Sequence, residues 1–281
     1  MTRIPAWTCP SCDEIVATTY CPSCGEQRLG ARDLTLGGLL RQAALAIVDI
    51  DGRLLRSVRC LVVHPGRLTT AYVQGLRKPY IAPVQLFLVA NVLFFAMQSL
   101  TGNMIFSTSL IDHLHSQMWS PVAEQLVASR LEGTSQSFAD YAPVFDHAVT
   151  LNAKSLVFLM VLAFSALLPM SFRRAGQPFI THAVFALHFY AFLLLVLCAA
   201  LVVVFAAVLA GGAGLRSETF DHVLSLLNLA VCAVYLYLAI GTVYRADGAR
   251  RLLQVTSLVV GIAGIFLGYR FALLLITLAS T

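Results

Sequence analysis

Charge is what this sequence has least of. Asp, Glu, Lys and Arg make up 12% of its 281 residues, while 58% are hydrophobic. A soluble domain carries about 25% charged residues. With a mean hydropathy of +0.80, the chain is short of the charge needed for an aqueous surface. A hydrocarbon solvent removes that need. Other absences narrow the reading further. The first long apolar run begins only near Ile81. A secretory leader needs an apolar run of about 7–15 residues near the N-terminus, so none is expected and the N-terminal segment stays on the side where it was made. No Lys or Arg occurs between Cys9 and Cys24, which argues against a nucleic-acid partner. No Asp or Glu stands centrally in any apolar run.

Those runs lie at about 81–100, 153–172, 183–210, 223–243 and 255–279. A membrane-crossing helix needs about 20 mostly apolar residues at 1.5 Å each. All five runs meet or approach that length, and with no water to satisfy the backbone they must be helical. The expected fold is therefore an all-α integral membrane bundle of about five transmembrane helices. A small N-terminal module occupies 1–30, basic amphipathic helices occupy 31–80, and the transmembrane domain is 81–281. Within the loop 101–152, Leu110, Leu114, Met118, Val122 and Leu126 have helical spacing, interrupted by Pro121. Two short helices lying against the membrane are expected there.

The charges that do occur are sorted. Residues 1–80 hold ten Lys/Arg and six Asp/Glu. Arg173 and Arg174 separate the second and third runs, and Arg245, Arg250 and Arg251 separate the fourth and fifth. The intervening loop 101–152 is acidic, with Asp112, Glu124, Glu132, Asp140 and Asp146. Excess Lys/Arg marks the cytoplasmic side. This predicts a cytoplasmic N-terminus and a C-terminus on the far side.

Residues 9–24 read CPSCDEIVATTYCPSC. Cys9, Cys12, Cys21 and Cys24 form two CxxC knuckles, and four thiolates so spaced close a tetrahedral zinc site. A redox dithiol normally uses one CxxC beside a βαβ pattern, which is lacking. Four sulfur ligands leave no position for water, so the zinc is expected to be structural. It would fold a module too small to bury a sufficient core by itself. Cys60, Cys198 and Cys232 read as apolar fillers.

In DGRLLRSVRCLVV (51–63), Arg53, Arg56 and Arg59 share one side of a helix that His64-Pro65-Gly66 ends. A second short helix, 67–78, closes with Arg77 and Lys78. Such basic amphipathic helices can lie at the headgroup plane and attract anionic lipid, each cation contributing about 1 kcal/mol. The alternative is that these cations serve only as the topology signal.

Ionisable or strongly polar groups at membrane depth are costly and point to function. The candidates are His182 and His188 in the third run, Asn228 in the fourth and Arg270 in the fifth. His182 and His188 are six residues apart, about 240° around a helix, so they face different ways. Arg270 could snorkel only part of the way outward, which leaves two readings: a buried partner such as a phenol, Asn228, a backbone carbonyl or a lipid phosphate, or an arginine that snorkels near a tilted helix end.

Two knuckles ending in Cys-Gly, the segment RLLRSVRCLVVHPGRLTTAYVQGLRKPYIAPVQLFL, the cluster THAVFALHFYAF and the closing YRFALLLITL together resemble the bacterial DUF3667 family. These are uncharacterised membrane proteins with an N-terminal zinc-ribbon-like motif. The resemblance covers most of the chain and implies a bacterial inner membrane. It implies no activity.

Three functions compete. The first is a non-enzymatic scaffold, assembly or regulatory protein, with a cytoplasmic protein partner, contacts to membrane lipids and possible homo-oligomers. No catalytic residue is assigned under it. The second is a transporter or channel for a small solute or lipid, using Arg270, His188 and Asn228 in one cavity; the odd number of spans gives it no inverted repeat. The third is a lipid-processing enzyme built on Asp112, His113, His115, Asp146 and His147, with Asp221 and His222. Solvated loop residues are the plainer reading of that last set.

Overall fold

The structure is a computed structural model that describes residues 6–9, 12, 14–19, 21–23, 52–74, 76, 79–102, 105–134, 136–173, 176–212 and 214–281. Cys24, Arg77, Lys78 and Arg174 lie outside the described residues. The chain divides into two compact units, Met1–Arg53 and Leu54–Thr281.

In the first unit, β1 (Trp7–Thr8) pairs antiparallel with β2 (Ile15–Val16), with Trp7 opposite Val16. Its buried apolar residues are Cys9, Val16 and Cys21, with Trp7 packed against them. The indole Nε1 of Trp7 donates to the Thr18 carbonyl at 2.8 Å.

The second unit is helical. Helix α1 covers 52–63. Pro65 and Gly66, the latter at φ +84°, turn the chain into α2 (Arg67–Val73). Helix α3 (Pro83–Thr101) starts on a proline, whose missing N–H is no loss in a first turn, and ends at Gly102 in the left-handed region. Two short helices follow, α4 (Leu110–His115) and α5 (Ser120–Thr134). Then come four long ones: α6 (Phe138–Ser171), α7 (Phe179–Leu209), α8 (Glu218–Tyr244) and α9 (Gly248–Ser280). Serine hydroxyls cap α4, α6 and α8, with Ser109, Ser137 and Ser217 accepting from the N–H three residues on.

Five of these helices, α3 and α6–α9, are long and apolar enough to cross a membrane. The structure gives the reason in burial as well as length. Val92, Leu226 and Val260 are about 70% exposed (71%, 68% and 67%) and belong to a wide apolar surface. Water would not tolerate such a surface on a monomer, whereas lipid solvates it. The core lies between helices. α7 packs against α3, α6 and α8, and α9 packs against α6 and α8. Phe164, Phe189 and Tyr190 fill the α6–α7 seam. At one end of the bundle the α1–α2 turn seats on α8, with Gly66 against Ala239 and Thr242. At the other, α4 and α5 pack on α6 and α9.

Two sequence expectations need correction. Pro121 does not split a helix. It sits in the first turn of α5, where a proline is favoured, and the break falls at 116–119 instead. That break resets the helical phase. Leu110 and Leu114 are buried as spaced, but Met118 is 86% exposed and Val122 also points outward, while Ala123 and Val127 take the buried face of α5. The second crossing helix also begins earlier than 153, because α6 continues unbroken from Phe138.

Candidate metal centre and polar sites of the bundle

The hairpin brings the cysteines together. The Cys9 N–H donates to the Glu14 carbonyl at 2.9 Å, closing the first knuckle. Cys9 and Cys21 are buried and Cys12 is exposed. Their three Sγ atoms lie within 4.8 Å of one another, and Cys12 and Cys21 are 3.5 Å apart. Sulfurs bound tetrahedrally at about 2.3 Å from zinc stand about 3.8 Å apart. The described thiols therefore fit a metal ion at their centre. Glu14 also turns inward, accepting from Ser23 Oγ and lying 4.0 Å from Cys21 Sγ. Cys60, Cys198 and Cys232 are buried among apolar side chains and are not disulfide-bonded.

On α1, Ser57, Cys60 and Leu61 face the core. The Ser57 hydroxyl accepts from the Ile81 N–H at 3.0 Å, tying α1 to the start of α3. Arg53, Arg56 and Arg59 are exposed together with Leu55, Val62 and Val63. The outward face is thus a mixture of arginine and aliphatic side chains, as suits the border between headgroups and acyl chains.

The intramembrane candidates go to four separate places. His182 Nδ1 is hydrogen-bonded to Tyr244 Oη at 2.8 Å, and its ring stacks on the same tyrosine. Phe172 also stacks on that tyrosine, 3.9 Å between ring centres. His188 Nδ1 is bonded at 2.9 Å to Thr69 Oγ1 on α2. Asn228, half-buried, lines a 430 Å³ cavity between α6, α7, α8 and α9, otherwise walled almost wholly by apolar groups such as Met160, Leu193 and Phe266. Arg270 is half-buried beneath the α4–α5 end. Its Nη2 donates to the Ile105 carbonyl at 3.5 Å, its Cζ lies 4.6 Å over the Phe266 ring, and its Nε has no hydrogen-bond partner among the described residues. His188 and Arg270 do not line the cavity that holds Asn228.

The acidic end shows mostly structural use of its polar groups. Asp146 accepts from the Leu110 N–H at 2.8 Å and so caps α4 from α6. Asp112 accepts from Ser109. His113 is fully buried, takes a hydrogen bond from Trp119 Nε1 at 3.3 Å, and meets Phe145 edge-on. Burial, and next the Arg270 guanidinium, pull its pKa down to about 4, so the ring is neutral at physiological pH. His115 and His147 are not brought into this contact set.

Sequence reasoning missed the partners. Tyr244, Thr69 and Ser57 look like ordinary residues of apolar helices, and their bonds join positions 62, 119 and 24 residues apart. It also missed Arg251, treated only as loop charge. Its Nε donates to the Tyr237 carbonyl at 2.6 Å, and its guanidinium lies 3.9 Å over the Tyr237 ring. Gly241 allows this, since a Cβ there would stand 2.4 Å from the guanidinium carbon.

No curated protein and no solved structure matches the chain. One family does. Residues 51–95, which comprise α1, the turn at Gly66, α2 and most of α3, match the family described as Protein of unknown function (DUF3667).

Proposed function

We propose that this is a non-enzymatic scaffold, assembly or regulatory protein of the bacterial inner membrane. Its N-terminal zinc module faces the cytoplasm and engages a protein partner there. The observation that carries this reading is the convergence of Cys9, Cys12 and Cys21, at the spacing of a site that Cys24 would complete. A saturated four-sulfur site holds a small module in shape and leaves no position for chemistry. Zinc bound there would supply folding free energy to a unit whose own apolar core is very small.

The orientation follows from charge. Arg173, Arg245, Arg250 and Arg251 stand in or beside the connections at the α1–α2 end of the bundle, and Asp112, Asp140 and Asp146 stand at the other end. By the positive-inside rule the α1–α2 end is cytoplasmic and Thr281 is periplasmic. Arg53, Arg56 and Arg59, with Arg77 and Lys78 of the same segment, then meet the anionic inner leaflet.

The separation of His188, Asn228 and Arg270 supports a scaffold over a transporter, because a polar path through the bilayer would need them in one cavity. Two experiments test the proposal. Metal analysis of the purified chain should find about one zinc per chain, absent when the four cysteines are serine. Cross-linking in cells should give partner adducts with the native module that vanish with the serine variant. Identical adducts from both forms, or a reporter after Thr281 active only in the cytosol, would overturn it.

A further inference from the structure

Three guanidinium groups gather at the end of α8. Arg67 begins α2, Arg245 follows α8, and Arg251 lies in the first turn of α9. With His64 they line an open pocket of about 650 Å³ between the α1–α2 turn and the α8–α9 turn. Among the described residues no acidic side chain lines it, and Asp247 in the adjoining connection is not part of its wall. Arg251 is held in place from behind by the Tyr237 and Leu238 carbonyls and the Tyr237 ring. A guanidinium has five N–H donors, so two bonds to carbonyls leave others for a ligand. Arg67 and Arg245 are exposed at the rim.

Beside the pocket lies a second space of about 410 Å³ that shares two of its wall residues, Pro65 and Leu238. This second space is an apolar groove between α7 and α8, floored by the stacked rings of Phe192 and Tyr235, 3.8 Å between centres, and flanked by Val231 and Val234. From Arg245 back to Val231 is about 21 Å along a helix at 1.5 Å per residue. One leaflet of hydrocarbon is about 15 Å deep. The basic pocket stands where the apolar stretch of α8 ends, at Tyr244, and the groove runs from it into the oil.

A cationic cup beside a greasy groove, the two together reaching about 21 Å along α8, is complementary to one class of molecule. We propose that these two spaces bind a single anionic phospholipid, its phosphate held by Arg67, Arg245 and Arg251 and one acyl chain laid between α7 and α8. Arginine suits this because its planar fork pairs with phosphate oxygens bidentately, and basic pockets between membrane helices are established headgroup sites in general. The site stands apart from the scaffold reading. It requires only that α8 cross the bilayer, and it holds whichever leaflet the pocket faces.

The test is native mass spectrometry of the full chain in a mild non-ionic detergent, titrated with dioleoylphosphatidylglycerol or dioleoylphosphatidylcholine. The anionic lipid should be retained as one molecule per chain and the zwitterionic one should not. Arg67→Gln with Arg245→Gln should weaken retention about tenfold or more. Arg173→Gln, an exposed cation at the same end of the bundle but outside the pocket, should change it little. Val234→Trp fills the groove from the lipid side and should weaken lipid retention while leaving any binding of inorganic phosphate untouched. Should Arg67→Gln destabilise the α1–α2 turn, Arg245→Gln alone serves, read together with its melting temperature. Equal retention of both lipids, or no loss on changing the pocket arginines, overturns the proposal. Displacement of the lipid by millimolar phosphate with no effect of Val234→Trp would assign the pocket to free phosphate and overturn it too.

Discussion

The two units of this chain reach order by opposite routes. Among its described residues the first has a short hairpin and three buried apolar residues, two of them cysteines. The second buries dozens of apolar side chains between long helices. A unit with few described buried residues would gain stability from a metal bound by its sulfurs, whereas a membrane bundle depends on close packing between its helices. The comparison teaches that the same residue type has opposite work in the two halves. Cys9 and Cys21 converge on one point, while Cys60, Cys198 and Cys232 are dispersed as small apolar fillers.

The sharpest way to break the comparison is through the metal. Cys9→Ser with Cys21→Ser, or prolonged chelation, should remove all bound zinc and leave the first unit open to protease. The helical signal and melting of the second unit should stay unchanged. A shift in the main melting transition would show that the units are not independent.

The converse change is Gly66→Val. Gly66 sits at φ +84°, and a Cβ there would come within 2.8 Å of the Ala239 carbonyl oxygen and 2.9 Å of Thr242 Cβ. Left-handed strain and overpacking add, and the bundle should lose about 3 kcal/mol, seen as a lower melting temperature in detergent. Zinc content should not change.

A third measurement separates them by pH. His113 is held at about 4 in the folded bundle, below the ordinary value of about 6.5. The unfolded chain therefore takes up the proton first. Its contribution to stability is whole above about pH 6.5 and declines as pH falls toward 4. His113→Leu should flatten that part of the melting curve against pH. An unchanged slope would refute the burial of a neutral ring.

The smallest effect belongs to Tyr244→Phe. Removing the hydroxyl leaves the buried His182 Nδ1 without its 2.8 Å partner, at a cost of about 1–2 kcal/mol. The stacked rings of Phe172, Tyr244 and His182 should persist, so circular dichroism should be unaltered while the melting temperature drops.

The five crossing helices were legible because hydropathy reports solvent, and each apolar run falls on a helix of the structure, overrunning its ends by two residues at most. The cysteine cluster was legible because CxxC spacing is local. What could not be read depended on distance in space. Nothing near Tyr244 announces a histidine 62 residues away, and nothing near Gly241 announces that it clears room for Arg251. The early start of α6 was hidden for a different reason. Asp140, Asp146 and His147 make its first turns look like loop, yet a helix outside the oil needs no apolar majority. The stripe through Met118 failed because four non-helical residues shift the phase on which a periodicity argument rests.

The length of α6 has a consequence of its own. Its 34 residues extend about 51 Å, against a hydrocarbon core of about 30 Å. Its polar first turns are occupied in capping α4 rather than in contact with lipid. The waterline can therefore ride up or down this one rod without unwinding it. Host membranes of unequal thickness would be met by a change of draught, with the cap of α4 and α5 carried like a deckhouse on an unchanged hull.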